Sequence, residues 1–542
     1  MVYGSGTNTN NNTPTGNNNI DALIASRRWA SNIVSFSFTS NFANDYEDEL
    51  GYPDSTTHAV SFSTLNNTQR AVMREWTDMF EDVSNLHLFE LFGSSDRDAT
   101  IRIAETTANF ASNTAYAYYP WTSVQAGDIW FNPTAYDNPT IGNWAYHTFG
   151  HELGHALGLE HGHETGGISG VAMDSNRDSM EFSLMTYRSY EGAPANYYRN
   201  EFWGYAQSLM MYDIAAIQHM YGADFTTNSG NTTYSFSTTT GEMLINGVGQ
   251  GTPGDNRVFR TIWDGNGVDT YSFTNYTTNL SINLKPGSWS DLDTSGNFQT
   301  ANLGEGNFAR GHVFNALQFN GDSRSLIENA NGGFGNDSIV GNNVRNILQG
   351  GSGNDTVSGA GGDDYLNGGS GIDTVDYRHW NGGGTYNLAT GVASFPGYYD
   401  EEIISFENII TGNGNDVIIG SNVANRIEDN GGNDTLTGGG GADDFVFEYL
   451  NHGVDTITDF FWIENDEIHI SEEFGGGLTE GFLQYNQFTI GSSASDSSDR
   501  VIYNSSSGDL FFDADGAGSN PQVQFASLNS GLALIASDFV VI

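Results

Sequence analysis

The segment HELGHALGLEH combines three histidines and a glutamate at a spacing that suits metal chemistry. His151 and His155 are four residues apart, so on a helix they lie on one face and can hold one metal ion. Glu152 lies beside them, within reach of a water at that ion. Gly158 is expected to end the helix with a positive φ and to turn the chain back, so that His161 supplies a third imidazole. Three imidazoles around an open position are typical of catalytic zinc.

Two further histidines lie near this motif. His163 is an alternative third ligand, but the spacing from Gly158 favours His161. His147 lies one turn before His151 and is expected to be an exposed helix residue. An ordinary helix with surface histidines would explain the motif without a metal, but a match at all five fixed positions argues against that interpretation.

A methionine follows the zinc motif at a distance that is informative. Met185 lies 24 residues after His161, in the segment SLMTY. This fits the Met-turn that follows the extended motif in metzincins, where the thioether lies beneath the metal and does not bind it. The alternative is a core methionine of no special role. Tyr187 ends the same segment.

A nine-residue repeat fills residues 332–376 with five units and residues 411–446 with four more. Its sixth position is Asp in seven units and Asn in two, Asn346 and Asn425, and its eighth position is apolar in all nine. Each unit predicts a glycine-rich turn whose carboxylate suits calcium, followed by a short strand that buries its apolar residue between two sheets. This register excludes a disordered glycine-rich linker. The predicted calcium ligands are Asp337, Asp355, Asp364, Asp373, Asp416, Asp434 and Asp443, and the two asparagines mark weaker or vacant sites.

The elements that must position these residues are mixed before Gly222 and β-type after it. Alternating polarity predicts a strand, helical spacing predicts helices, and the helical pattern disappears beyond Gly222. The fold class is therefore multidomain, with an α+β domain followed by an all-β calcium-binding domain. Strands are predicted at Val34–Thr39 and Ala115–Tyr118, and helices at Thr68–Phe80, Trp144–Leu159 and Gln207–Tyr221. The predicted regions are a flexible tail or pro-segment at 1–19, the α+β domain at 20–222, a β-rich connecting region at 223–328, the calcium repeats at 329–447 and a C-terminal β region at 448–542.

Composition excludes several classes of protein. The 66 acidic and 18 basic residues leave a net charge of −48, which opposes binding to nucleic acids and anionic membranes. The absence of cysteine excludes disulfides, cysteine-ligated metals and thiol catalysis. No apolar run is long enough to span a membrane, and the N-terminus has no secretory signal peptide pattern.

With these motifs in place, the chain resembles the serralysins, the secreted bacterial metzincin endopeptidases. The segments DIAAIQHMYG, WDGNGVDT and IENANGGFGND also look like that family. The resemblance implies a metzincin domain with one catalytic Zn²⁺, followed by an RTX parallel β-roll or β-sandwich that holds several structural Ca²⁺. It also implies that Tyr187 is a further zinc ligand that swings away and stabilises the oxyanion. Two more sets of residues are implied: Asp264 and Asp269 as calcium ligands between domains, and Ala115, Tyr116, Ala117 and Tyr118 as the cleft-edge strand that binds substrate.

The expected function is that of a secreted, calcium-stabilised zinc endopeptidase of broad specificity, with Glu152 as the general base. Its expected partners are protein or peptide substrates and the type I secretion machinery, and it is expected to be an extracellular bacterial monomer. The C-terminal residues 538–542 resemble an uncleaved secretion signal, with a simple terminal strand as the alternative. The chain departs from the family after His161, where Gly162, His163 and Glu164 replace the usual Pro and Gly-Asp. A calcium-binding RTX adhesin or binding protein with an inactive protease-like domain is the alternative function.

Overall fold

The chain divides into two compact units, both rich in β-structure. The computed structural model describes residues 8–47, 52, 55–108 and 114–542. One unit contains the residues up to 272 together with 283–327, and the other contains 273–282 together with 328–542. The chain is mostly β and contains the expected repeat region, whereas the α+β class of the first domain and the parallel β-roll remain predictions. Most of the region expected to connect the domains belongs to the first unit, and residues 448–542 belong to the second.

The N-terminal segment is ordered by polar side chains. Strand β1 (Thr9–Asn11) pairs antiparallel with β2 (Arg27–Trp29), and the short helix α1 (Asn18–Asp21) lies between them. The carboxylate of Asp21 accepts hydrogen bonds from the backbone N–H groups of Thr15 and Gly16. The expectation of a flexible tail is therefore wrong for residues 8–19, because asparagine and aspartate side chains replace the missing apolar pattern. Residues 1–7 lie outside the described part of the chain.

A five-stranded sheet forms the frame of the first unit. Its strand order is β4-β3-β5-β7-β6, and all neighbours are parallel except β6, which runs antiparallel to β7. Strand β6 is consequently the last strand at one edge of this sheet as described. The bounds are Ile33–Phe38 for β3, His87–Glu90 for β4, Ile101–Glu105 for β5, Tyr116–Ala117 for β6 and Ile129–Phe131 for β7.

Two long helices pack together in the same unit. They are α3 (Asn67–Val83) and α4 (Trp144–Leu157), and Trp76 on α3 donates its indole N–H to the carbonyl of Tyr146 on α4, with 2.9 Å between the atoms. A Cβ at Gly150 would lie 2.7 Å from the Trp76 ring, so only glycine allows this close approach. The remaining α-helices of the described chain are α2 (Ser55–Ser61) and α5 (Met211–Tyr221).

Short strands complete the first unit and are joined to its helical part by polar contacts. Gln207 donates its backbone N–H to the carbonyl of Phe259 at 2.9 Å, and Arg257 pairs with Glu201 at 2.7 Å. These contacts explain why the region beyond Gly222 belongs to this unit. The strands are Thr233–Phe236, Met243–Ile245, Val248–Gly249, Arg260–Ile262, Thr270–Ser272, Trp289–Ser290, Asn302–Gly304, Asn307–Phe308 and Val313–Asn315.

The second unit consists mainly of two parallel sheets that the repeats build in alternation. Successive nine-residue units contribute strands to opposite sheets, so each strand pairs with the strand 18 residues further on, as Leu348 does with Leu366. The apolar residue at the eighth position is 0% exposed in all nine units, as the register predicts. One sheet contains Asn329–Asn331, Ile347–Ser352, Tyr365–Ser370, Thr385–Asn387, Val392–Ser394, Glu401–Ile404, Val417–Ser421, Thr435–Gly439, Asp455–Ile457, Phe488–Ile490, Val501–Asn504, Asp509–Phe512 and Val523–Ser527, and the other contains Ser338–Val340, Thr356–Ser358, Thr374–Asp376, Asn408–Ile410, Arg426–Glu428, Asp444–Phe447, Glu467–Ile470, Gly481–Phe482 and Phe539–Val541.

The C-terminal residues continue these sheets beyond the repeats. Phe539–Val541 is a strand that pairs parallel with Glu467–Ile470, so the terminal residues form part of the fold. Their role in secretion remains a prediction. Within the described chain, no helix is both long and apolar enough to cross a bilayer.

The buried ion pair between Arg102 and Asp128 generates a test of the first unit. Both side chains are 0% exposed and their charged atoms are 2.8 Å apart. Asp128→Asn leaves the guanidinium buried without its counter-charge, and we expect a loss of about 3 kcal/mol or more in the free energy of unfolding. Urea unfolding of the full chain at fixed calcium, followed by tryptophan fluorescence, measures it.

The control is Glu90→Gln, which breaks the ion pair between Glu90 and Arg74. The side chain of Arg74 is 44% exposed, so its charge remains in contact with water when the pair is lost. This change is expected to cost less than about 1 kcal/mol. Equal effects of the two substitutions would contradict the importance of the buried pair.

Candidate functional site

Three imidazoles converge at the C-terminal part of α4. The Nε2 atom of His161 lies 3.2 Å from that of His151 and 3.0 Å from that of His155. Burial lowers the pKa of all three rings, that of His161 to about 2, so the imidazoles are neutral. Neutral rings that aim three lone pairs at one point are the donor set that a zinc ion takes.

Main-chain carbonyls hold two of these rings in orientation. The Nδ1–H of His151 donates to the carbonyl of Leu184 at 3.0 Å, and the Nδ1–H of His155 donates to the carbonyl of Leu159 at 2.8 Å. These bonds place the proton on Nδ1 and leave Nε2 as the acceptor or ligand. Hydrogen bonds at Nδ1 therefore fix the orientation of the His151 and His155 rings without an ion.

Asp213 at the start of α5 supports this arrangement, and the sequence analysis did not identify it. Its carboxylate accepts from the hydroxyl of Ser183 at 2.7 Å, from the N–H of Leu184 at 2.7 Å and from the N–H of Met210 at 2.9 Å. Burial raises the pKa of Asp213 to about 6. The residue whose carbonyl orients His151 is thus itself held by a buried carboxylate.

Gly158 and Met185 occupy the predicted positions around the helix end. Gly158 has φ +106° and ends α4, as expected from its place in the motif. Met185 is 0% exposed, and a Cβ built on Gly154 would lie 2.9 Å from its sulfur. The thioether therefore packs directly against the helix that carries two of the histidines.

Glu152 is the buried acid of the site. It is 5% exposed, and its Oε2 has no hydrogen-bond partner among the described residues. Burial raises the pKa of Glu152 to about 8. A carboxyl with such a pKa can take and return a proton near neutral pH.

Tyr187 stacks beside the histidines. Its ring centroid lies 4.6 Å from that of His161 and 4.7 Å from that of His163, and its backbone N–H donates to Nδ1 of His163 at 3.3 Å. Burial raises the pKa of the Tyr187 phenol, which therefore keeps its proton. His163 thus contacts the backbone of Tyr187, whereas His161 provides the nitrogen that meets the other two imidazoles.

An aromatic cavity of about 580 Å³ opens beside Glu152. His147 lies in its wall and is 0% exposed, so the expectation of an exposed helix residue is wrong. Its Nε2–H donates to the hydroxyl of Tyr198 at 3.1 Å, and burial lowers the pKa of His147 to about 3. The sequence suggested solvent because residues 195–205, which cover this face of α4, are distant in the chain. The other lining residues are Thr114, Trp144, Thr148, His151, Tyr187, Asn196, Tyr197 and Tyr205.

The predicted substrate strand leads to the histidines. Tyr116–Ala117 forms the edge strand β6, with Ala115 and Tyr118 immediately outside its bounds. Tyr119 lies two residues after the end of β6, and its ring centroid is 5.2 Å from that of His155. The hydroxyl of Tyr119 donates to Glu160 at 2.5 Å. The chain therefore runs from β6 directly up to the three histidines.

The aspartates of the repeats form hydrogen-bonded ladders in the second unit. The backbone N–H of Asp337 donates to Oδ1 of Asp355 at 2.7 Å, and that of Asp355 donates to Oδ1 of Asp373 at 2.8 Å. In the second block, Asp416 donates to Asp434 at 2.7 Å in the same way, and a parallel ladder joins Asn425 to Asp443 at 2.9 Å. One carboxylate oxygen of each acceptor is thus held by the backbone N–H of the turn 18 residues earlier. The other oxygen, Oδ2, is buried without a partner among the described residues at Asp355, Asp364, Asp373, Asp416 and Asp434.

The two asparagines indicate what these buried oxygens require. The amide NH₂ of Asn346 donates to the carbonyl of Glu328 at 2.7 Å, and that of Asn425 donates to the carbonyl of Glu407 at 2.7 Å. An asparagine therefore satisfies the position by donating a proton. An ionised carboxylate has no proton to donate there, so an aspartate needs a cation in the same place or must itself hold a proton.

The ladders extend beyond the repeats that the sequence revealed. Asp434 donates its N–H to Asp455 at 2.9 Å, Asp443 donates to Asp466 at 3.2 Å, and Asp373 donates to Glu407 at 2.8 Å. Sequence reasoning missed these acceptors because their spacings, such as 21 and 34 residues, differ from the regular period. The sequence did contain a signal for them: Gly-Val-Asp-Thr occurs at residues 267–270 and again at 453–456, and Glu-Asn occurs at 328–329 and again at 407–408.

Asp264 and Asp269 form a separate acidic pair in the first unit. Asp264 accepts from the hydroxyl of Tyr234 at 2.7 Å, and Asp269 accepts from the N–H of Thr232 at 2.7 Å. Burial raises the pKa of Asp264 to about 8 and that of Asp269 to about 6. The pair suits a calcium ion, and its use as a calcium site remains a prediction.

Comparisons with known proteins identify a repeat family and several relatives of this chain. A family model described as the RTX calcium-binding nonapeptide repeat matches residues 340–375 and 410–445 in four copies. The chain is 31% identical to metallopeptidase AprA of Pseudomonas marginalis over 302 residues, which are 54% of this chain and 58% of that protein. It is 32% identical to serralysin B of Dickeya chrysanthemi, over 57% of this chain and 58% of that protein.

A further relative is serralysin A of Dickeya chrysanthemi, at 34% identity over 53% of this chain and 55% of that protein. The chain thus spans little more than half the length of the curated relatives that it matches. The resemblance expected from the motifs is confirmed. The chain is therefore a relative of the serralysin metallopeptidases, and it carries RTX calcium-binding nonapeptide repeats.

Proposed function

We propose that this protein is a secreted zinc endopeptidase that calcium stabilises. The observation that carries the proposal is the convergence of three neutral imidazole Nε2 atoms, at 3.0 and 3.2 Å, beside the buried Glu152, whose Oε2 has no partner among the described residues. The metallopeptidase names of the relatives support the same conclusion. In this proposal the first unit contains a metzincin catalytic domain, and the second is a calcium-binding parallel β-roll.

His151, His155 and His161 would hold the zinc, with Tyr187 as a fourth ligand when no substrate is bound. When bound, zinc supplies Lewis-acid polarisation of the scissile carbonyl and favours the ionised form of an attacking water. Glu152 takes the proton of that water and later delivers it to the leaving amine. Its burial keeps the proton on this one carboxyl between the two steps.

Tyr187 would stabilise the negative charge that develops on the carbonyl oxygen. Its phenol keeps its proton because burial raises its pKa, so it can donate a hydrogen bond. Ring contacts with His161 and His163 restrict where the phenol can move. Release of Tyr187 toward the oxyanion would therefore be a limited motion.

The substrate would bind as an extended peptide against β6. Backbone pairing with an edge strand is tolerant of sequence, which supports broad specificity. The aromatic cavity beside Glu152 adds one selective position, because its lining by Tyr197, Tyr198, Tyr205 and Trp144 favours a large apolar side chain next to the scissile bond. Proteins or peptides are the proposed substrates, and the type I secretion machinery is the proposed export partner.

A binding protein with an inactive protease-like domain is the alternative function. The repeats alone would fit it, since RTX repeats say nothing about chemistry. The intact set of imidazoles, the buried Glu152 and the adjoining cavity support the enzyme.

Replacing the general base provides the direct test of the proposed enzyme. We expect Glu152→Gln to lower casein hydrolysis by about 10²- to 10⁴-fold, because the amide cannot accept the proton of water. Zinc content measured by atomic absorption should stay at one ion per chain, because Glu152 is not among the ligands.

The matched control is Glu191→Gln, which alters a glutamate that is 51% exposed and paired with Arg310. Its activity should equal that of the parent chain. Activity of Glu152→Gln within about tenfold of the parent would refute the assigned role.

The pH dependence of stability tests the calcium sites. Burial raises the pKa of Asp355, Asp364 and Asp434 to about 7 in the absence of a cation. Because the folded pKa exceeds the unfolded value of 3.8, the stabilising effect of protonation is complete below 3.8 and is lost as pH rises toward 7.

We therefore expect the calcium-free second unit to melt at a lower temperature at about pH 7.5 than at about pH 5, measured by circular dichroism of the full chain in a chelator. Millimolar calcium should reverse the order, because protons then compete with the ion. Asp364→Asn, which copies the natural asparagine of other units, should reduce both effects. A melting temperature independent of pH and calcium would exclude the sites.

A further inference from the structure

The first position of each repeat unit lies against the carboxylate of the same unit. Seven of the nine units have glycine there. A Cβ built on these glycines would come within 2.1–2.7 Å of a terminal oxygen of the sixth residue, for example 2.4 Å from Oδ2 of Asp355 for Gly350. Any side chain at the first position therefore meets the sixth-position carboxylate.

Two units depart from glycine, and they do so differently. Thr411 opens one of them, and its hydroxyl donates to the carbonyl of Asp429 at 3.3 Å. Asp429 opens the other, so its unit has a second carboxylate at the first position. Like charges at such a distance in a buried site repel strongly.

Asp429 is part of a buried group of three carboxylates with Asp434 and Asp455. One oxygen from each lies within 4.8 Å of the others, and the three residues are 3%, 2% and 6% exposed. Oδ2 of Asp429 and Oδ2 of Asp434 have no hydrogen-bond partner among the described residues. Asp455 is oriented by the N–H of Asp434, which it accepts at 2.9 Å.

The surroundings of this group offer little positive charge. A cavity of about 10 Å³, room for one water-sized particle, is lined by Asp429 and Asp455 together with Asn430, Glu448 and His452. His452 contacts the carbonyl of Asn430 through its Nδ1. Glu448 adds further negative charge. Three ionised carboxylates at this depth require a cation of high charge, or one of them must hold a proton.

We propose that Asp429, Asp434 and Asp455 bind one Ca²⁺ through three carboxylates and form the tightest calcium site of the second unit. This inference rests on the proposed binding of calcium by the ladders and adds one ligand that the repeat pattern lacks. Calcium accepts several oxygen ligands in flexible geometry, and its affinity rises with the number of charged ligands. In the other units the first position is glycine or threonine and adds no carboxylate.

The test is a calcium titration of the full chain against a competing chelator, with circular dichroism in saturating calcium as the measure of folding. Asp429→Gly restores the residue of the other units, and Asp429→Asn keeps the shape without the charge. Both should weaken the tightest site at least about tenfold and leave the other sites in place. Asp455→Asn should weaken the same site, and adding Asp429→Asn to it should have less effect than either change alone.

Asp444→Asn is the control, because it removes an equal charge from a side chain that is 36% exposed and outside the group. It should leave the tightest site unchanged. Unaltered affinity in both Asp429 variants would overturn the inference and mean that Asp429 holds a proton shared with Asp434. A parent chain that binds no calcium at all would instead overturn the proposed calcium function on which the inference rests.

Discussion

Buried negative charge is the constraint on which both units of this protein depend. A carboxylate removed from water needs a cation, a proton or several N–H donors to offset the loss of hydration. Glu152 in the first unit and the ladder aspartates in the second are all nearly inaccessible to solvent. Glu152 and five of those aspartates, Asp355, Asp364, Asp373, Asp416 and Asp434, have an oxygen without a partner among the described residues. In the proposed function, the same physical need would serve proton transfer by Glu152 in one unit and ion binding by the ladders in the other.

The ladders show how a simple repeat creates that need many times. In each ladder, one carboxylate oxygen of a turn accepts a hydrogen bond from the backbone N–H of a neighbouring turn, which fixes the register of the two turns. The remaining oxygen can be satisfied by an ion, which links calcium binding to folding of the whole unit. Asn346 and Asn425 are informative exceptions, because their amide groups donate to carbonyls and need no ion. Replacing a carboxylate by an amide at the sixth position thus removes the need for a cation at that turn.

The histidine site also depends on a buried carboxylate, but indirectly. Neutral imidazoles point their Nε2 atoms at one place only because carbonyls of Leu184 and Leu159 hold the opposite nitrogens. The carbonyl of Leu184 is in turn positioned by the buried Asp213. A short motif therefore works only within a frame supplied by distant segments, as is usual for metal sites.

Residue spacing predicted the repeat positions and the histidine motif, but it did not predict several residues whose surroundings come from distant parts of the chain. The nine-residue period predicted the buried apolar positions and the aspartates, because a strand and a turn repeat locally. The same period could not predict Asp455 or Asp466, which join the ladders across irregular loops. His147 was expected to be exposed, but Tyr198 and Tyr205 cover it from a segment that is distant in the sequence. The polar segment 8–19 looked flexible because its order comes from hydrogen bonds and not from an apolar face.

The amino-acid sequence by itself determined the chemistry of this protein: which side chains can bind metal, at what spacing, and with which carboxyl beside them. Spacing of four residues on a helix and nine in a repeat is local geometry, and local geometry follows from the backbone alone. Only the tertiary structure decided which of those groups are buried, which oxygens are satisfied and where a third carboxylate joins a pair. Burial and electrostatic environment depend on residues far apart in the chain, and no local pattern encodes them.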